Sequence, residues 1–408
     1  MINIAILGYG TVGSGVFEVI RTNQEIIDRN AKDELRIKYV LDLRNFPGDP
    51  VEEVLTHDFE TILQDAEVKI VVEVMGGLKP AYDFVKRALQ NGKSVCTSNK
   101  ELVAAHGPEL LRIAAENRVS FLFEASCGGG IPIIRPLQTS LTADRIEEIS
   151  GILNGTTNYI LTKMKTEGLQ FEEALKLAQE NGFAERDPSA DIEGGDACRK
   201  IAILSSLAFG KTLDFKDIPT EGIAGITHKD IEMAEALGYA VKLIATCSEV
   251  EGELHAAVAP MLIKRDHPFF AVDGVFNAIL VRGNMLGVTM YYGRGAGKYP
   301  TASAVVSDVI AAAGSLQETI PIRWKEEKLA LSDNADWVRG YYIRAERNVE
   351  EIVSQAKKLF GGVERTVEGE AGIGLITAPI SEKDFEEAYA KLSGAVNRIR
   401  VMYTRERN

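Results

Sequence analysis

The chain has 408 residues, 45% of them apolar and 26% charged, and a formal net charge of −13. That length exceeds what one hydrophobic core usually supports, so two or three domains are expected. The acidic balance argues against a nucleic-acid or anionic-membrane partner, and no apolar run approaches the ~18 residues of a membrane span. The start of the chain lacks the basic stretch of a secretory signal. Cys96, Cys127, Cys198 and Cys247 are scattered without CxxC spacing, which fits reduced thiols in a cytoplasmic protein.

Residues 2–7 (INIAIL) form a short apolar strand run, Gly8-Tyr9-Gly10-Thr11-Val12-Gly13 follows, and a helical pattern continues through Val16, Val19, Ile20 and Ile27. Strand, glycine turn and helix is the context in which GxGxxG binds a dinucleotide. Gly8 permits the turn, Gly10 lets backbone approach a pyrophosphate, and Gly13 lets helix and strand pack. The N–H groups of the helix start, at Thr11 and Val12, then face the phosphates. The next strand, 35–41, ends at Asp42-Leu43-Arg44. An acidic residue there suits the ribose of NAD and an arginine suits the phosphate of NADP, so both cofactors remain open.

Strand runs at 69–75, 93–97 and 119–124 alternate with helices after 80 and near 101–118, which predicts a parallel sheet. Ligands of such sheets sit beyond the carboxyl ends of the strands, so Lys100, behind Ser98-Asn99, is a site candidate. A second glycine turn at 125–134 enters a helix whose first turn holds Pro132, and 147–161 reads as strand, polar turn and helix.

Residues 185–200 (ERDPSADIEGGDACRK) place five carboxylates in a Pro/Gly-rich loop ahead of an apolar helix. Asp196 and Lys200 are four apart at the helix start and share one face. Such a site can grip a cationic amine and hold an ammonium as proton donor. Strands are expected at 241–250, 254–263 and 276–282, in a mostly antiparallel sheet with helices on one face. His255 alternates with apolar residues and reads as a sheet-face histidine.

Six motifs, GYGTVG (8–13), SNKELVA (98–104), EASCGGGIP (124–132), GILNGTTNYI (151–160), GFAERDPSADIEGGDACRK (182–200) and GRGAGKYPTASAVVSD (293–308), resemble the homoserine dehydrogenase family in order over 1–320. The resemblance implies NAD(P)-dependent interconversion of L-homoserine and L-aspartate 4-semialdehyde by a cytoplasmic homodimer or larger homo-oligomer. It implies Lys200 as proton donor and Lys100 in the active site, touching substrate or cofactor. Glu185 and Asp196 would bind substrate, with Asp191 and Thr156 as further candidates. Gly182 and Gly297 would line the cofactor site beside Gly8, Gly10, Thr11, Val12, Gly13 and Arg44. A sodium ion is implied on Glu124, Cys127, Gly129 and Ile131, mainly through backbone carbonyls.

The expected organisation is an N-terminal Rossmann-type domain over 1–135 with a return segment near 295–320, and an α+β substrate and dimerisation domain over 136–320. A linker over 321–336 and a C-terminal unit over 337–408 follow. The unit reads strand, helix, strand, strand, helix, strand at 337–345, 349–360, 362–369, 372–379, 382–393 and 396–404, a ferredoxin-like order that resembles an ACT domain. Its 344–350 loop lacks the Pro and Gly of ACT ligand sites, which favours a structural or dimerising role over threonine binding. Two other readings compete. A semialdehyde dehydrogenase of another type would need Cys127 as nucleophile with a histidine base. A non-catalytic nucleotide and amino-acid sensor would not need Lys200 beside Asp196.

Overall fold

The computed structural model describes residues 1–346, 349–370 and 372–402. Arg347 and Asn348 of the 344–350 loop, and the end of the expected strand 396–404 beyond Met402, lie outside the described residues.

The N-terminal unit comprises Ile2–Leu7 (β1), Thr11–Thr22 (α1), Gln24–Ala31 (α2), Leu35–Leu41 (β2), Leu55–Thr56 (β3), Phe59–Gln64 (α3), Val68–Glu73 (β4), Ala81–Gln90 (α4), Ser94–Thr97 (β5), Lys100–Glu116 (α5) and Phe121–Leu122 (β6). Its strands form one parallel sheet in the order β3-β2-β1-β4-β5-β6. Every residue of β1 is buried, because helices cover both faces of a parallel sheet. The single long helix expected after the glycine turn is two helices that meet at Asn23. The strand expected over 119–124 shrinks to two residues, because Glu124–Ser126 turns into a 3₁₀ helix.

The middle of the chain adds Ile134–Thr139 (α6), Ile146–Ile152 (β7), Gly155–Glu167 (α7), Phe171–Glu180 (α8), Ser189–Ile192 (α9), Gly195–Phe209 (α10), Lys211–Thr212 (β8), His228–Ala236 (α11), Tyr239–Val250 (β9), Glu253–Lys264 (β10), Phe276–Gly283 (β11), Gly287–Arg294 (β12) and Lys298–Ala313 (α12). Pro132 lies ahead of α6 rather than in its first turn. β12 was not anticipated. Helix α12 returns to the N-terminal unit, where Ala302, Val305 and Val309 join Val16 and Ile20 of α1 in one core. The approach is close: a Cβ on Gly15 would meet the Lys298 carbonyl oxygen at 2.9 Å.

Residues 321–336 are more than a connector. Lys325–Lys328 (β13) pairs with β8, and Trp324 is buried against Gly107, where a Cβ would lie 2.7 Å from the indole. The C-terminal unit holds Val338–Arg339 (β14), Tyr341–Ala345 (β15), Val349–Leu359 (α13), Val363–Gly369 (β16), Gly372–Thr377 (β17), Ile380–Ser381 (β18), Glu382–Tyr389 (α14) and Ala395–Val401 (β19). Its four main strands run in the ferredoxin-like order β19-β15-β17-β16. They do not stand apart. β19 pairs in parallel with β10 at Met261 and Leu262, giving one nine-stranded sheet, β12-β11-β7-β9-β10-β19-β15-β17-β16.

Candidate active site

At the carboxyl edge of the parallel sheet the chain reverses at Gly8, whose φ is +99°. Gly13 is required sterically, since a Cβ there would lie 1.9 Å from the Gly8 carbonyl oxygen. At Gly10 a Cβ would meet nothing within 4 Å, so the backbone faces open space. Helix α1 begins at Gly10 without a side-chain cap, which leaves the N–H groups of Thr11, Val12 and Gly13 for an anion. This turn fits a dinucleotide pyrophosphate.

Asp42 is already engaged. Its Oδ1 accepts from Arg44 Nε at 2.9 Å, and its Oδ2 accepts from the Tyr9 N–H at 2.8 Å and from Arg44 Nη2 at 2.9 Å. The Arg44 guanidinium holds this carboxyl well below the usual carboxylate range against the opposing effect of burial.

Contacts step from this turn to the catalytic candidates. Gly8 packs against Met75, and Asn99 Nδ2 donates to the Gly77 carbonyl at 2.6 Å. Asn99 also caps α5 by accepting the Leu102 N–H, which sets Lys100 at the helix start. Lys100 Nζ lies 2.6 Å from Asp196 Oδ1. Asp196 sits in the first turn of α10, begun by Gly194 in the left-handed region, and Lys200 is one turn on. Lys200 Nζ donates to Asp196 Oδ2 at 2.7 Å and to the Leu153 carbonyl at 2.8 Å. Asn154, the cap of α7, donates through Nδ2 to Asp196 Oδ2 at 2.9 Å and to Asp191 Oδ1 at 2.7 Å.

Asp196 and Lys200 are both buried. Burial opposes ionisation of Asp196, but the Lys200 and Lys100 ammoniums outweigh it and hold the carboxyl well below its ordinary value. Burial likewise works against the Lys100 ammonium, yet Asp196 raises it above the ordinary lysine value. Asp191 moves the other way, because burial pushes it up and Asp196 adds to the shift. An ammonium has three N–H donors, and Lys200 spends two on Leu153 and Asp196. Among the described residues the third meets no acceptor, so it can serve a substrate oxygen.

The remaining candidates are placed as follows. Thr156 Oγ1 donates to the Phe183 carbonyl at 2.6 Å and so pins the 182–185 loop over α7. Glu185 is exposed, and only its carbonyl is engaged, by Gln179. Gly182 is exposed with φ +72°, and Gly297, with φ +122°, precedes α12. Glu124 spends its carboxylate on the N–H groups of Ile133, Ile134 and Arg135, at 2.6, 2.8 and 2.7 Å. Among the described residues, the buried carbonyls of Cys127, Gly129 and Ile131 accept no hydrogen bond. His255 stacks on Trp337 at 5.0 Å, away from this cluster.

The bridging role of Asn154 was not legible beforehand. The Asn-Gly-Thr-Thr run marks a helix start in the sequence, but the partners of the Asn154 amide come from residues 191 and 196. Cys127 carries no nucleophile: it is fully buried, and burial pushes its thiol up to about 12.

Two family models match the chain. Residues 8–124 match "Homoserine dehydrogenase, NAD binding domain", and residues 132–310 match "Homoserine dehydrogenase". The homoserine dehydrogenase of Synechocystis sp. is 47% identical over 322 residues, covering 77% of this chain and 73% of that protein. The homoserine dehydrogenase of Bacillus subtilis is 45% identical over 313 residues, covering 76% and 72%. The chain belongs to the homoserine dehydrogenase family. It is therefore an oxidoreductase with an N-terminal NAD-binding domain. Among solved structures, a homoserine dehydrogenase from Thiobacillus denitrificans matches with a TM-score of 0.89 at 38% identity, over 98% of each chain. A hyperthermophilic archaeal homoserine dehydrogenase mutant in complex with NADPH matches with a TM-score of 0.65 at 31% identity, over 76% of this chain and 97% of that one. Among the described residues, no helix is long and apolar enough to cross a membrane.

Proposed function

We propose that Lys200 is the proton donor and acceptor in the interconversion of L-homoserine and L-aspartate 4-semialdehyde. The observation that carries this reading is the cluster of buried Lys200 and Asp196 with half-exposed Lys100, with its 2.7 and 2.6 Å contacts and one N–H of Lys200 left for substrate. The nicotinamide, when bound, supplies or receives the hydride. In the reducing direction the free N–H of Lys200 passes a proton to the oxygen of the aldehyde carbon. In the oxidising direction the neutral amine takes the hydroxyl proton. Asp196 holds Lys200 in place and, with Asp191, binds the substrate ammonium. Glu185 reaches the same ammonium if the 182–185 loop closes over the substrate. Lys100 receives the substrate carboxylate, joined by Thr156 once its hydroxyl turns away from the Phe183 carbonyl.

Gly8, Gly10, Thr11, Val12 and Gly13 would hold the cofactor's pyrophosphate, with Gly182 and Gly297 as further lining. NADP is the better fit. Both Asp42 oxygens are committed, while the side chain of Arg44, 61% exposed, can meet a ribose phosphate. The carbonyls of Cys127, Gly129 and Ile131, unpaired among the described residues, suit a sodium-type cation together with that of Glu124, which accepts the Cys127 N–H at a long 3.5 Å. The protein works in the cytoplasm as a homodimer built on the mixed sheet. Exposed Met285, Val288, Met290 and Tyr292 on and beside β12 support that surface. The C-terminal unit, ACT-like in its strand order, serves as structural support.

Homoserine added to the protein with NADP or NAD should raise nicotinamide absorbance. No homoserine-dependent signal with either cofactor would reject the assignment in favour of a sensor.

A further inference from the structure

Asn277, the second residue of β11, is fully buried, and neither its Nδ2 nor its Oδ1 has a hydrogen-bond partner. A buried amide left unpaired at both ends is costly and calls for a reason. Its surroundings supply one. On one side a Cβ on Gly295 would lie 2.0 Å from Nδ2, so the amide presses on the loop Gly293-Arg294-Gly295-Ala296-Gly297 that leads into α12. On the other side a Cβ on Gly155 would lie 3.6 Å from Oδ1, so the same amide lies beside the start of α7, next to Leu153 and Asn154, which hold Lys200 and Asp196.

The loop can respond. Gly293 and Arg294 close β12, but Gly295-Ala296-Gly297 lies beyond it with two glycines in three residues, Gly297 lies at φ +122°, and α12 begins without a side-chain cap. Among the described residues, the N–H groups of Ala296 and Gly297 donate no hydrogen bond. The loop also senses the dinucleotide side of the molecule, because Lys298 and Ala302 pack on Gly15 of α1, whose first residues form the glycine turn.

We infer that Asn277 is a positioning residue that fastens the 293–297 loop when the dinucleotide binds. Its Oδ1 accepts a loop N–H and its Nδ2 donates to a loop carbonyl, which fastens the loop beside the Leu153–Asn154 turn that holds Lys200 and Asp196. The inference rests on the dehydrogenase reading above.

Asn277→Leu keeps the volume and removes the amide. The melting temperature of the cofactor-free variant should equal or exceed that of the parent, because an unpaired polar group has been removed. The Kd for NADP(H), read by titration calorimetry, should weaken at least tenfold. The KM for the cofactor should rise by a similar factor, while kcat at saturation and the KM for homoserine change less than threefold. Asn277→Ala, which folds with a cavity, should show the same loss of the cofactor-induced rise in melting temperature. A cofactor Kd within threefold of the parent in both variants would overturn the inference. So would a large drop in melting temperature of the cofactor-free Leu variant, since it would mean that the amide is already satisfied by a resident water. A parent protein that binds no dinucleotide would sink the dehydrogenase reading as well, whereas a loss confined to the variants would not.

Discussion

Replacing Lys200 with methionine tests the proposed chemistry most directly. The side chain keeps its length and loses its ammonium. Its departure leaves the Leu153 carbonyl without a donor, which costs about 1–3 kcal/mol. Asp196 is not orphaned, because Lys100 at 2.6 Å and Asn154 at 2.9 Å remain. The penalty therefore stays below the roughly 3–5 kcal/mol of a stranded buried charge, and the variant should fold. Loss of a positioned acid lowers turnover by about 10²–10⁴-fold. Steady-state rates with homoserine and cofactor read the loss, thermal melts check the fold, and calorimetric titration of the cofactor should give a Kd within threefold of the parent. Turnover within tenfold of the parent in a well-folded Lys200→Met protein would refute the role of Lys200 as acid.

Two other perturbations follow from the same contacts. Arg44→Ala frees Asp42 for a ribose hydroxyl and removes the partner of a phosphate, so the ratio of kcat/KM with NADP to that with NAD should fall at least tenfold; an unchanged ratio places the selectivity elsewhere. His267 is buried, and burial together with Arg282 pushes its imidazole down to about 4 from an ordinary 6.5. The unfolded chain then binds a proton between those values and the folded chain does not, so stability falls as the pH drops through that window, by roughly 3 kcal/mol. His267→Asn keeps an acceptor for the Phe269 N–H and should flatten this part of a plot of melting temperature against pH. A slope identical to the parent's would remove His267 as the cause.

What could be read ahead of the structure was local. The glycine turn is bracketed directly by β1 and α1 in consecutive residues, and Asp196 and Lys200 share a face because they are one turn apart. The Asn99 cap likewise depends on residues three positions away. What could not be read was brought together by packing. Lys100 reaches Asp196 because α5 meets α10, and no periodicity in either helix encodes that meeting. The break at Asn23 left no mark, since the apolar spacing continues across it. β12 carries a signal, the alternation of Val288, Met290 and Tyr292 between two glycines, but its apolar face is exposed, so the run does not read as a core strand. The joining of β19 to β10 depends on residues more than a hundred positions apart and has no local trace.

The flank of β10 is sealed in three separate places. The Val258 backbone exchanges hydrogen bonds with Pro219 and Glu221, the Leu254 carbonyl takes the Ser332 N–H, and the Leu262 carbonyl takes the Met402 N–H beside the β19 pairing. A shortened chain that stopped before residue 330 would lose two of those seals at once. It would bare a run of backbone groups able to recruit strands from other molecules. The chain beyond residue 330 thus shields the edge of β10 from strand exchange between molecules.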